Sequence, residues 1–296
     1  MSIQRGMMAS PDHFGIEYEL STNLSMRKER QPDKTLAMAH WSHFRNTLTR
    51  YGVEILTLPS AGPGIPDFTF LQNAGELIQG TKIFILSNFH HKERMREIPH
   101  LKRWLKNYFD LRELAPDEKF EGGGDALFWH NNVLFLGYGI RTNLKGAQAV
   151  ARIAHEVDPR IIPEFLPMRF WVEKGKRGKV SFYHRDMSFL PLYDKKTFLI
   201  YPYCFSLDAL RLLERYGNVV FATKDQAYNF VCNGVEVDHD TVILPWTDEY
   251  TQNQFRNDFG YKNIEICPVS EFLLSGGGLQ CLLKIIQQTF LNSFFK

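Results

Sequence analysis

The sequence predicts an α+β fold built from repeated strand-strand-helix units. Three observations carry this. Pairs of short apolar runs joined by polar turns recur along the chain, helical patterns lie between them, and no Gly-, Pro- or Ser-rich linker divides the 296 residues.

The first pair is 68–71 and 82–86, separated by Gly80-Thr81. The second is 126–129 and 133–136 around Asn131-Asn132. The third is 187–190 and 197–200 around Asp194-Lys195-Lys196. The fourth is 228–231 and 241–244, separated by Asp238-His239-Asp240. Each reads as a hairpin, because a polar turn between two apolar stretches lets the chain reverse and bury both. Phe272-Leu273-Leu274 and Leu282-Leu283 supply a fifth pair. Between pairs, Ile98, Leu101, Leu105 and Tyr108 fall on one helical face, and 147–154 is a second helix. A third spans 207–216, opened by Ser206 as N-cap and stopped by Gly217. A recurrent unit of this kind argues for one quasi-symmetric domain over residues 1–296.

Composition narrows the function. A formal net charge of +2 and the absence of a basic stripe interleaved with aromatics leave no electrostatic footprint for nucleic acid. The densest basic stretch, 92–106, also holds Glu93 and Glu97 and reads as a solvated helix face. No apolar run is long enough to span a bilayer, and the first residues lack the apolar core of a secretory signal, so no membrane partner is expected. Cys204, Cys232, Cys267 and Cys281 are widely spaced, which argues against zinc or a disulfide framework and for a reducing cytoplasm.

Polar residues gather at the head of each hairpin. They include Asp67 and Asn73, Glu121 through Asp125, His184-Arg185-Asp186, and Gly276-Gly277-Gly278-Leu279-Gln280-Cys281. Units arranged about a common axis would bring Asn73 (or Asp67), Glu121, His184, Asp186 and Cys281 together. A thiol, an imidazole and carboxylates are the parts of covalent cysteine catalysis. Taken singly, each has a plainer reading: a cysteine in an apolar run is usually core, and a triple glycine can be a bulge.

The motifs PDFTFLQNAG, FEGGGDAL, GYGIRTN, HRDMSF and SGGGLQC, in that order, resemble those of the pentein superfamily of guanidine-modifying enzymes. Arginine deiminases, dimethylarginine dimethylaminohydrolases, amidinotransferases and arginine dihydrolases belong to it. The resemblance runs from about Ser10 to Leu283. It implies a five-bladed α/β propeller, a small guanidino substrate, and no metal or other cofactor. It also implies Cys281 as nucleophile, His184 as general acid and base, and Glu121 as the carboxylate that orients it. Asp186 would grip the guanidinium, and Arg141 and Arg94 would bind the substrate carboxylate.

Two departures bear on the substrate. Asn73 stands where deiminases and the dimethylarginine enzyme carry an aspartate, a feature that looks like the arginine and succinylarginine dihydrolases. The spacing of His184 and Asp186 also argues against the dimethylarginine enzyme. Leu20-Ser21-Thr22-Asn23-Leu24 differs from the usual pocket-entrance segment and leaves the substrate open. The expected activity is hydrolysis of arginine or a derivative with release of ammonia, with amidinotransfer or dimethylarginine hydrolysis as the alternatives, by a monomer or homo-oligomer.

Overall fold

The computed structural model describes residues 2–286. Among them, five three-stranded sheets share one topology: an antiparallel pair of strands, then a helix, then a strand parallel to the second member of the pair. The first sheet joins Gly75–Leu77, Ile83–Leu86 and Asp110–Arg112, with the helix Ile98–Leu105 before the last strand. The second joins Ala126–Phe128, Val133–Tyr138 and Ile162–Pro167 around the helix Leu144–Val157. The third joins Phe189–Leu192, Thr197–Ile200 and Asn218–Phe221 around Leu207–Glu214. The fourth joins Val235–Asp238, Thr241–Leu244 and Asn263–Ile266.

The fifth sheet differs from expectation. The segments around Phe272 and Leu282 do not form a hairpin; Ser270–Leu273 and Leu279–Leu282 are short helices. Their strand partner comes from the other end of the chain. Lys284–Ile285 pairs antiparallel with Arg5–Ala9, which pairs parallel with Glu54–Leu58 after the helix Lys34–Arg50. The fifth unit is therefore split between the two ends, so reading the chain in order could not reveal it.

The first strand of the second sheet begins at Ala126 as expected, but those of the first, third and fourth begin later. Phe68 and Leu71 lie in 3₁₀ turns, Met187 ends another, and 228–231 covers the end of the helix Lys224–Tyr228 and the start of the turn Val231–Asn233. Each of these segments is buried on all sides, and an apolar run without strict alternation does not distinguish a buried turn from a strand. The second strands start and stop close to expectation, because each is bounded by a polar turn.

The longer helices bury an apolar stripe. Asp33 caps Lys34–Arg50 by accepting from the Leu36 amide at 2.9 Å, and Ala37, Trp41, Phe44 and Leu48 then fall on one buried face. Ser206 caps Leu207–Glu214 through the Ala209 amide at 3.1 Å. Full burial of a residue such as Phe44 contributes about 1.5–3 kcal/mol each. No described helix is long and apolar enough to cross a membrane.

One feature of the repeat positions the site. A single helical turn precedes the first strand of each sheet: Leu71–Ala74, Gly122–Gly124, Arg185–Met187, Val231–Asn233 and Leu279–Leu282. Asn73, Asp186, Asn233 and Cys281 lie on four of these turns, and Glu121 and His184 immediately precede two of them.

Candidate active site

The glycines before Cys281 are required by close approach. Gly276 takes φ +71°, in the left-handed region, and turns the chain from one short helix towards the next. A Cβ on Gly277 would lie 2.1 Å from the Phe70 ring. The following turn places Cys281, which is 4% exposed, with Sγ 3.6 Å from Asp186 Oδ2. Asn233 Nδ2 lies 3.5 Å from the same sulfur, and its Oδ1 accepts the Gln280 amide at 3.0 Å. Burial pushes the Cys281 thiol well up, and the neighbouring Asp186 carboxylate adds to that.

Glu121 joins the next group. Its Oε2 is 2.7 Å from His184 Nε2 and 3.3 Å from Arg141 Nη1, and its Oε1 accepts the His90 amide at 3.0 Å. Burial opposes its ionisation, but the Arg141 guanidinium and the bond from His184 hold its carboxyl well below the usual range. An ionised Glu121 only accepts, so Nε2 of His184 carries the proton in this bond. Burial raises Asp186 to about 6, with the His184 and Arg185 charges opposing.

Arg141 lies 3.9 Å over the Tyr183 ring and donates through Nε to Thr22 Oγ1 at 3.0 Å. The same hydroxyl lies 2.9 Å from His91 Nε2. Burial, helped by the Arg141 charge, lowers His91 to about 4, so the ring is neutral. Asn23 Nδ2 donates to Tyr183 OH and to the Ser275 carbonyl, at 3.1 and 2.8 Å. The divergent segment 20–24 therefore holds both Arg141 and the chain leading to Cys281.

Asn73 Oδ1 accepts from Arg94 Nη1 at 2.9 Å, and Nδ2 donates to the Glu121 carbonyl at 3.2 Å. Arg94 itself meets Glu97 through two parallel bonds of 2.6 and 3.0 Å, and both side chains are almost wholly buried. The stretch 92–106 is thus not a purely solvated face: a 3₁₀ turn over Arg94–Glu97 puts residues three apart on one side, turned inward. Asp67 accepts from Tyr18 OH at 2.8 Å and from Ser275 Oγ at 3.2 Å, and its carbonyl lies 3.4 Å from Arg94 Nη2.

All eight residues singled out from sequence therefore belong to one hydrogen-bonded neighbourhood. Sequence reasoning missed Glu97, Asn233, Tyr183 and Thr22. Asn233 had a usable signal, since Cys232-Asn233-Gly234 heads the fourth hairpin once the strand is placed at Val235. The Arg-x-x-Glu spacing was the signal for Glu97. No group of three or more metal-ligating side chains occurs among the described residues.

Asp186 Oδ1, an acceptor, and Arg141 Nη2, a donor, are buried without a protein partner, as are the nearby Arg185 Nε and Nη1 and Gln72 Oε1. A thiol beside a carboxylate, with a Glu-oriented histidine two residues away in sequence, suits attack on a planar cation. The chain is a guanidine-modifying enzyme of the pentein superfamily, with mixed α and β structure. The family described as N,N dimethylarginine dimethylhydrolase, eukaryotic, matches residues 10–188, and the chain belongs to it. An uncharacterised protein of Caenorhabditis elegans is 31% identical over 95% of this chain and 93% of its own length. The bifunctional arginine dihydrolase/ornithine cyclodeaminase ArgZ of Synechocystis is 30% identical over 94% of this chain, which spans 37% of that protein. The crystal structure of an ArgZ N-terminal domain variant, covalently bound to a reaction intermediate, superposes with a TM-score of 0.82. It is 29% identical and covers 96% of this chain and 98% of that one.

Proposed function

We propose that the protein hydrolyses the guanidinium group of arginine through a covalent Cys281 intermediate, in two rounds that end at ornithine. The observation that carries this is the unpartnered pair Asp186 Oδ1 and Arg141 Nη2. One end suits a guanidinium and the other an α-carboxylate, so the substrate has both. The resemblance of the chain to arginine dihydrolase domains supports the same reading. We further infer that the five sheets surround a common axis as the blades of a single catalytic domain, and that the enzyme works in the cytoplasm.

In this mechanism Asp186 grips the guanidinium and fixes its plane. The arriving cation neutralises Asp186 and favours the thiolate, reversing the effects that raise the Cys281 thiol. Sulfur bonds to the guanidinium carbon, His184 passes a proton to the departing nitrogen, and ammonia leaves. Glu121 holds the imidazole in place through its contact with Nε2. Water, deprotonated by His184, then adds to the carbon, the C–S bond breaks, and a ureido group results. A second cycle on that carbon releases another ammonia, and hydrolysis of the remaining carbamoyl thioester gives carbon dioxide and ornithine. Asn73 serves the neutral ureido group better than a second carboxylate would, since an amide both donates and accepts.

The family match to dimethylarginine hydrolases supports a second reading, release of a methylamine from methylarginines. One assay separates the two. Arginine, methylarginines, agmatine and succinylarginine are supplied in turn, with and without an amine acceptor. Ammonia, citrulline and ornithine are followed for wild type and Cys281→Ala. Ornithine from arginine is expected. Citrulline as sole final product, or an equally active alanine variant, contradicts the proposal.

A further inference from the structure

An amide has two unlike ends, so the consequence of Asn73 depends on which end faces the reacting carbon. Its neighbours fix that choice. The Arg94 guanidinium only donates, so the Asn73 atom 2.9 Å from Nη1 is the oxygen. The Glu121 carbonyl only accepts, so the atom 3.2 Å away is the nitrogen. The amino end lies on the side of Gly124 and His184. A Cβ built on Gly124 would fall 2.4 Å from Asn73 Nδ2 and 3.1 Å from the His184 ring, so only glycine lets the two lie this close. Arg94 cannot readily rotate away, because Nε and Nη2 are bound to the two oxygens of Glu97 and its guanidinium lies 4.4 Å over the Phe89 ring.

We infer that Arg94, braced by Glu97, is a positioning residue that turns the amino end of Asn73 towards the ureido oxygen. It thereby sets how far the reaction proceeds past citrulline. The inference rests on the two-round reading above and deepens it. A guanidinium carries only donors, whereas the ureido product carries a carbonyl oxygen that needs one. A donor held on the His184 side therefore serves the second round and not the first.

The test is the ratio of ornithine to citrulline formed from arginine, and ornithine formation from supplied citrulline. Wild type, Arg94→Lys, Glu97→Gln and Asn73→Asp are compared, with circular dichroism and melting curves checking the fold. Arg94→Lys keeps the charge but loses the fork, and Glu97→Gln keeps the shape should the lysine variant not fold. Loss of one charge-assisted bond predicts a fall in the ratio of about 10- to 100-fold for Arg94→Lys, with first-round ammonia release falling less. Glu97→Gln should move it the same way by a smaller factor, and Asn73→Asp should stop at citrulline. Folded variants that lose both rounds in equal proportion would overturn the inference while leaving the two-round reading intact. Wild type that forms no ornithine would refute that reading, and this inference with it.

Discussion

Arg94 and Arg141 are both buried, each donates a hydrogen bond to a polar residue of the site, and the family resemblance implies the same duty for both. Their surroundings differ. Arg94 places Nε and Nη2 on Glu97 and Nη1 on Asn73. Arg141 is held at Nε by Thr22 and at Nη1 by Glu121, with Nη2 left over. A buried donor without a partner costs free energy, which a ligand can recover. On the proposed function, Arg141 has a donor left for the substrate carboxylate, whereas Arg94 already commits its donors to Glu97 and Asn73.

Glu121→Gln would disturb this contrast most. It removes the charge that anchors Arg141 and His184 together, and kcat should fall roughly 10³-fold with the fold retained, as steady-state kinetics would report. Arg141→Ala comes next. The KM for arginine should rise about 10- to 100-fold, while agmatine, which lacks the carboxylate, should be little affected. An equal loss for both compounds would assign Arg141 to holding Glu121 alone.

The pH profile gives a smaller effect. Asp186 must be ionised to hold the guanidinium, and burial raises it to about 6, so kcat/KM should climb through about pH 6. In Asp186→Asn the residual activity should lack that limb. The same substitution should stabilise the protein. A carboxyl raised above its unfolded value stabilises the fold at low pH and loses that contribution as pH rises through about 6. Asp186→Asn should therefore melt roughly 2–4 °C higher than wild type at pH 8, with the gain vanishing near pH 4. Differential scanning calorimetry at the two pH values checks this.

The site was more legible in the sequence than the boundaries of the fold. Polar residues in otherwise apolar stretches, such as Glu121 and His184-Arg185-Asp186, stand out because burying them is costly without a purpose. The second strands, such as Thr197–Ile200, were legible because polar turns bound them. The one-turn helices before the first strands were not. Segments such as Leu71–Ala74 are packed from every side, and no period separates them from a strand. The split fifth sheet was hidden because Arg5–Ala9 and Lys284–Ile285 are far apart in the chain. Glu97 escaped for a related reason: on a charged stretch, nothing but the three-residue spacing marks which ions turn inward.

The most direct test is to quench the enzyme during turnover of arginine and map adducts by peptide mass spectrometry. The account predicts a mass gain of arginine less ammonia on the peptide bearing Cys281, and none on those bearing Cys204, Cys232 or Cys267. Productive turnover with no adduct at Cys281, or an adduct on another cysteine, would contradict it.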